Sequence, residues 1–128
     1  MATNNAVTNI AGVLSAITAT VAYTDTGAVT IGTLPADAQI VNVNIDVTTA
    51  FNAGTTNTVT VGKTGSAAAF VASTSVGSAG RASVATTGVY SAWADTGSSD
   101  ISATITYSQT GTAATAGAAR VTIVYKSY

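Results

Sequence analysis

The chain has 128 residues, enough for one domain with its own core, and it contains neither cysteine nor histidine. These absences exclude disulfides, thiolate metal sites and every catalytic system that depends on a histidine base or a cysteine nucleophile. Only 7% of the residues are charged and the net charge is −1, so no basic surface for nucleic acid or an anionic membrane is expected. Soluble domains usually carry about 25% charged residues, so we expect much of this surface to be covered by copies of the chain or by partners.

Alternation of β-branched with other residues, which is typical of half-buried strands, recurs along most of the chain. Residues 1–9 lack this pattern and predict a flexible N-terminal arm, followed by a single β-sandwich domain over 10–128. Strands are predicted over Ala19–Tyr23 and Ala28–Leu34, and Pro35 then marks a turn. No stretch has the length and apolarity of a membrane span, and the sequence does not begin with the basic residues of a secretory signal.

The cleanest alternation predicts a strand over Ile40–Val47. A polar loop over 48–57 leads to a further strand over 58–64, whereas residues 66–73 are compatible with a short helix or a strand. The face of the Ile40–Val47 strand that we expect to point into the core comprises Val41, Val43, Ile45 and Val47.

The remaining strands are predicted over Val89–Trp93, Ile101–Gln109 and Arg120–Tyr128. The strand-loop-strand segments Ile40–Gly62 and Ile101–Tyr125 resemble each other, and we interpret them as two paired hairpins. About eight short strands separated by turns predict an all-β fold, an antiparallel β-sandwich that is jelly-roll-like in its strand number.

Two Asp-Thr-Gly tripeptides, at Asp25 and Asp95, suggest an aspartic protease. Such enzymes need two facing carboxylates that share a proton, and too little chain follows Asp95 to build a second lobe. A retroviral-type protease needs one tripeptide per chain, but the apolar stretches of that family are missing before Asp25 and around Arg81. Asp and Gly are also common turn residues, so we interpret both tripeptides as turns and predict that the protein is not an enzyme.

Other short motifs give no stronger indication of a site. Gly62–Thr64 resembles the end of a phosphate-binding loop, but a strand precedes it instead of glycines. The five aspartates lack the spacing of a calcium loop, and Asp95 and Asp100 share one polar loop. Trp93 and Tyr107 fall on predicted strands, where aromatic residues are more often core or interface anchors than sugar platforms. No metal and no cofactor are predicted.

The stretch over 34–62, LPADAQIVNVNIDVTTAFNAGTTNTVTVG, and the stretch over 106–125, TYSQTGTAATAGAARVTIVY, together resemble a known group of proteins. They are similar to small virion structural proteins of tailed bacteriophages, of the capsid decoration or cement type. The resemblance covers roughly Thr30–Tyr125 and depends on composition and loops, and it contains no catalytic residue.

The resemblance implies a small β-sandwich or jelly-roll protein that binds the outside of a capsid and bridges neighbouring capsomers. The implied partners are the major capsid protein and further copies of the chain, for which we expect a homotrimer. The implied location is the capsid surface of the virion, after synthesis in the host cytoplasm. A fibre, tail or carbohydrate-binding β-module and, less favoured, the retroviral-type protease remain alternatives. The residues predicted to contact a partner are Thr3, Asn4, Asn5, Phe51 and Asn52.

Overall fold

The computed structural model describes residues 14–84 and 96–127. Strands dominate these two segments, and none of their residues is helical, so they contain no helix that could cross a membrane. The strands are β1 Leu14–Ala22, β2 Ala28–Leu34, β3 Ala38–Thr49, β4 Thr56–Lys63, β5 Ser66–Ser75, β6 Gly80–Val84, β7 Ile101–Thr110 and β8 Ala118–Ser127.

These strands form two antiparallel sheets of four. Sheet A has the order β1-β8-β3-β6, and sheet B has the order β2-β7-β4-β5. The pairing is nested along the chain: β1 pairs with β8, β2 with β7, β3 with β6 and β4 with β5. Folding one long antiparallel ribbon over itself in this way gives a jelly roll. The predicted all-β sandwich is confirmed.

The core lies between the two sheets and is built from the inward residues of each strand. Val121 and Ile123 of β8 alternate with the outward residues Arg120 and Thr122, and both are fully buried. Burial of a side chain of this size contributes about 1.5–3 kcal/mol. The largest fully buried side chains are Phe51, Leu34, Ile40, Ile45, Ile105, Ile123, Val21, Val43, Val59, Val61, Val71 and Val76.

The prediction that Val41 faces the core is wrong. Ile40 pairs with Tyr125 and Asn42 pairs with Val124, so Val41 is one extra residue in β3. This β-bulge leaves Ile40 fully buried and Val41 45% exposed, because an inserted residue shifts the alternation of faces by one position. The other three predicted inward residues are buried as expected, namely Val43, Ile45 and Val47.

The interpretation of the two similar segments as hairpins is also wrong. β3 and β8 lie in sheet A, whereas β4 and β7 lie in sheet B. Each segment therefore crosses from one sheet to the other, and the two segments pair with each other. Residues 66–73 belong to strand β5, and the short strand β6 was not predicted. The strand predicted over Val89–Trp93 lies outside the described residues, as does the arm over 1–9.

Candidate functional site

The first Asp-Thr-Gly tripeptide forms the turn between β1 and β2. The Asp25 carboxylate accepts a hydrogen bond of 2.7 Å from the backbone N–H of Ala22, and the Asp25 N–H donates to the Ala22 carbonyl at 3.0 Å. Gly27 has a φ of 80°, which glycine adopts without steric cost. Asp25 therefore closes its own turn, as the turn interpretation predicts.

Two residues of the second tripeptide, Thr96 and Gly97, lie beside the turn between β2 and β3. The Thr96 hydroxyl donates to the Pro35 carbonyl at 2.6 Å and accepts from the Ala38 N–H at 3.0 Å. The Thr96 N–H donates to the Ala38 carbonyl at 2.9 Å. Asp95 lies outside the described residues. Thr96 thus holds the turn between β2 and β3, which is a structural role.

The two turns lie at opposite ends of the sandwich. Ala22, beside the first turn, pairs with Ala118, whereas Ala38, beside the second, pairs with Ser127. Ala118 and Ser127 are the two ends of β8, and a strand of this length spans about 30 Å. Asp25 and Thr96 therefore lie at opposite ends of the sandwich. The described segments also contain no group of three acidic, histidine or cysteine side chains that could hold a metal.

Two loops meet at the end of the sandwich that carries the first turn. These paired loops are residues 50–55 and residues 111–117. Backbone hydrogen bonds join them, from the Thr55 N–H to the Thr110 carbonyl at 2.9 Å and from the Gly54 N–H to the Thr112 carbonyl at 2.8 Å. The pairing of the loops follows from the sheet order. One loop joins β3 to β4 and the other joins β7 to β8, and β3 lies beside β8 just as β4 lies beside β7.

Asn52 connects the paired loops through its side chain. Its Oδ1 accepts from the backbone N–H groups of Thr115 and Ala116 at 2.8 and 3.0 Å, and its Nδ2 donates to the Thr115 hydroxyl at 2.9 Å. In a loop without regular strand pairing, side-chain hydrogen bonds of this kind can take the place of backbone hydrogen bonds. Asn52 is exposed, so it combines a fixed position with access to a partner.

Phe51 lies under the same loops and belongs to the core. Its side chain is 2% exposed, and its ring centroid lies 4.5 Å from that of Tyr107. The Tyr107 hydroxyl donates to Asn57 Oδ1 at 2.7 Å, and burial raises the pKa of Tyr107. Of these two neighbouring residues, Asn52 is exposed and Phe51 is buried. The partner contact of Phe51 and Asn52 stays a prediction, and Thr3, Asn4 and Asn5 lie outside the described residues.

A row of charged residues crosses the outer face of sheet A. Asp46 on β3 lies opposite both Arg81 on β6 and Arg120 on β8. Arg81 Nε donates to Asp46 Oδ1 at 2.7 Å, and Arg120 Nη2 lies 4.0 Å from Asp46 Oδ2. The hydrogen bond and the negative charge of Asp46 raise the pKa of Arg81. We call these three residues the charged row.

Sequence reasoning missed the charged row. The alternation along β3 indicates that Asp46 points outward. It does not indicate which strands lie beside β3, and the two arginines come from distant parts of the chain, 35 and 74 residues beyond Asp46. Knowledge of the jelly-roll strand order would have brought the three residues together.

The outer face of sheet A also carries an apolar strip, at the end of the face away from the charged row. Within the described residues, the large hydrophobic side chains with high exposure are Leu14 at 53% and Val41 at 45%. Val124 lies between their strands, since Ala16 pairs with Val124 and the β3 bulge lies opposite Val124 and Tyr125. The apolar strip consists of Leu14, Ala16, Val41 and Val124.

Solved structures with the same fold come from phage capsids. A chain in the capsid asymmetric unit of cyanophage Pam1 matches with a TM-score of 0.71 at 22% identity, and the match covers 99% of both chains. A chain in the acid-stable capsid of Helicobacter pylori bacteriophage KHP30 matches at 0.67 and 16% identity, over 89% of this chain and 87% of that one. A chain in the capsid of Ralstonia phage GP4 matches at 0.62 and 19% identity, over 95% and 89%.

This chain shares its fold with chains of phage capsid structures. The resemblance inferred from the sequence is thus confirmed at the level of the fold, and it extends over nearly the whole chain. No family model matches the chain, and no curated protein matches it.

Proposed function

We propose that the protein is a non-enzymatic structural component of a phage virion, which decorates the capsid and stabilises it by bridging capsomers. The observation that carries this proposal is the match to a chain of the cyanophage Pam1 capsid, which covers 99% of both chains. A protein with the same structural role in a capsid is expected to have a similar length and a similar fold.

The form of the domain supports this role. Side-chain hydrogen bonds hold the paired loops, and the core between the sheets is built from apolar side chains. A rigid small domain loses little conformational entropy when it binds a shell. Many copies on one capsid would act with avidity, and binding only the assembled state would stabilise that state.

The partners we propose are the major capsid protein and further copies of the chain, as a homotrimer on the capsid surface. Thr3, Asn4 and Asn5 of the arm and the exposed Asn52 are the proposed capsid contacts. Synthesis in the host cytoplasm fits a chain without cysteines, which needs no oxidising compartment to fold.

The decisive experiment is mass spectrometry of purified particles with counting of copies. A shell component is expected in hundreds of copies per particle, and particles that lack it should release DNA at lower temperature. A handful of copies per particle would contradict the proposal and indicate a tail or fibre part.

A catalytic role is tested separately with Asp25→Asn. The asparagine oxygen can still accept the hydrogen bond from Ala22, so the free energy of unfolding should change by less than about 1 kcal/mol. Neither the natural protein nor the variant should cleave peptides at acid pH. Cleavage that pepstatin blocks and that Asp25→Asn abolishes would instead establish an aspartic protease.

A further inference from the structure

The charged row has one positive charge more than it can neutralise by itself. Arg81 and Arg120 share the single carboxylate of Asp46, and each arginine approaches a different oxygen of that carboxylate. The arginine side chains are 69% and 56% exposed. Their guanidinium groups therefore stand at the surface with N–H donors available to a further carboxylate.

The surface beside the arginines has the shape and chemistry to receive such a group. The row borders a shallow hollow of about 340 Å³, which the polar side chains of Thr18, Asn44 and Thr122 also line. The Thr18 hydroxyl already donates to the Val121 carbonyl at 3.0 Å and lies 3.1 Å from the Thr122 hydroxyl, whereas the Asn44 amide can donate to the second oxygen of a bound carboxylate. The hollow is open, so it suits a side chain presented by another protein surface.

The chain itself carries a carboxylate in a suitable position to enter this hollow from a second copy. Asp37 is exposed in the turn between β2 and β3, and no other residue of the described segments bonds its carboxylate. Its φ of 58° makes it the single non-glycine residue with positive φ in those segments. Aspartate is one of the few residues besides glycine that tolerate this conformation, and the turn presents its carboxylate at the surface.

The apolar strip lies on sheet A between these two charged features. Val41 follows Asp37 by four residues and precedes Asp46 by five, and the bulge turns its side chain out of the core. An exposed apolar strip with charged residues on either side has the composition of an interface with a dry centre and a polar rim.

We propose that the outer face of sheet A binds a second copy of this chain, with the Asp37 carboxylate of that copy held by the exposed guanidinium groups of Arg81 and Arg120. The inference rests on the homo-oligomer proposed above and assigns its contact. The arginine surface and the aspartate turn are different parts of the chain, so the contact is head-to-tail and can close into a ring. The opposite charges fix the register of the two copies, and the apolar strip adds buried area.

The test uses the purified full chain without capsids and measures molar mass against concentration by sedimentation equilibrium. One variant is Asp37→Lys. A second reverses the whole row, Asp46→Arg with Arg81→Glu and Arg120→Glu, so that its internal ion pairs are kept. The third variant combines both changes. Lys63→Glu is the control, because Lys63 is an exposed cation at the end of β4 in the other sheet.

The natural chain should associate, and each of the first two variants should weaken association about tenfold or more. The combined variant should restore association, because its charges are complementary again. Lys63→Glu should leave association unchanged. If Asp37→Lys does not fold, judged by its circular dichroism, Asp37→Asn replaces it, since asparagine tolerates positive φ.

A monomeric natural chain, or a combined variant as weak as the separate ones, would overturn the inference. If the row reversal leaves the molar mass unchanged but abolishes binding to capsids, the arginines contact a capsid subunit. That result would overturn the self-contact while leaving the proposed virion role intact. Loss of capsid binding in the first two variants and its recovery in the combined variant, with molar masses as expected, would show that association precedes decoration and would support the inference.

Discussion

At the scale of single residues, Gly117 has the strongest constraint in the paired loops. Its backbone adopts a φ of 150°, and a Cβ atom at this position would overlap the ring of Phe51. The aromatic ring can pack against the loop backbone only because no side chain intervenes. The position of Phe51 in the core thus depends on a glycine that is 66 residues away in the sequence.

Gly117→Ala should lower the free energy of unfolding by about 1–3 kcal/mol, because the added methyl group displaces a buried ring. The control is Gly27→Ala, where φ is 80° and no atom lies within 4 Å of the added methyl group. Gly27→Ala should lower the free energy of unfolding by about 1 kcal/mol, because alanine disfavours positive φ. Chemical denaturation of both variants checks the difference, and equal losses would show that Phe51 moves away freely.

Tyr107 makes the stability of the protein depend on alkaline pH. Burial raises the pKa of its hydroxyl above that of the unfolded chain. The folded state therefore keeps the proton to higher pH than the unfolded state does. The contribution of the protonated Tyr107 hydroxyl to stability is fully present below about pH 10, the usual pKa of tyrosine. It is lost as the pH rises through the folded-state pKa.

The free energy of unfolding should therefore fall as the pH is raised above about 10. In Tyr107→Phe this fall should be smaller, although the variant starts lower because the hydrogen bond to Asn57 is missing. That bond contributes about 0.5–1.5 kcal/mol. Urea denaturation at a series of pH values measures both effects, and parallel curves for the two proteins would rule out this role.

At the scale of elements, the bulge in β3 reverses the environments of valines that the sequence pattern treats alike. Val41→Thr should change the free energy of unfolding by less than about 0.5 kcal/mol, because the side chain is already exposed. Val43→Thr makes the same substitution at a fully buried position and should cost about 1–3 kcal/mol. Thermal unfolding of the two variants compares the positions directly. Equal costs would mean that β3 has no bulge.

Most of the strands could be predicted from the sequence, because β-branched residues in alternation leave few other structures, but the short strand β6 was missed. β2 begins and ends at the residues that the pattern predicts, Ala28 and Leu34. The bulge could not be predicted, because the sequence around Val41 looks like that of a regular strand. Only the pairing with β8 shows that Val41 is an extra residue. Local patterns also do not distinguish a loop within one sheet from a loop that crosses to the other. For the same reason, Arg81 and Arg120 could not be placed beside Asp46.

At the scale of the whole molecule, the domain and the arm are expected to have separate tasks. Deleting residues 2–9 should leave the melting temperature nearly unchanged, because β1 begins at Leu14. The same deletion should weaken attachment to capsids, since an unpatterned polar segment gains order only against a partner. Calorimetry of the free protein and heat release of DNA from decorated capsids measure the two effects. Full protection of capsids by the truncated protein would assign the contact to the paired loops instead.

The nested pairing of the strands has a consequence for how the chain is made. β1 is the earliest described strand to leave the ribosome, and its partner β8 is the latest. β8 also separates β1 from β3, so sheet A lacks a central member until β8 has been translated. At about 5–20 residues per second, the 113 residues that separate Leu14 from Ser127 take about 6–23 s to translate, far longer than local folding events need. Each newly made copy therefore passes through a stage in which β1 and β3 have unpaired edges. Unpaired edges can pair with other chains, so copies made close together are expected to aggregate most readily before β8 is in place.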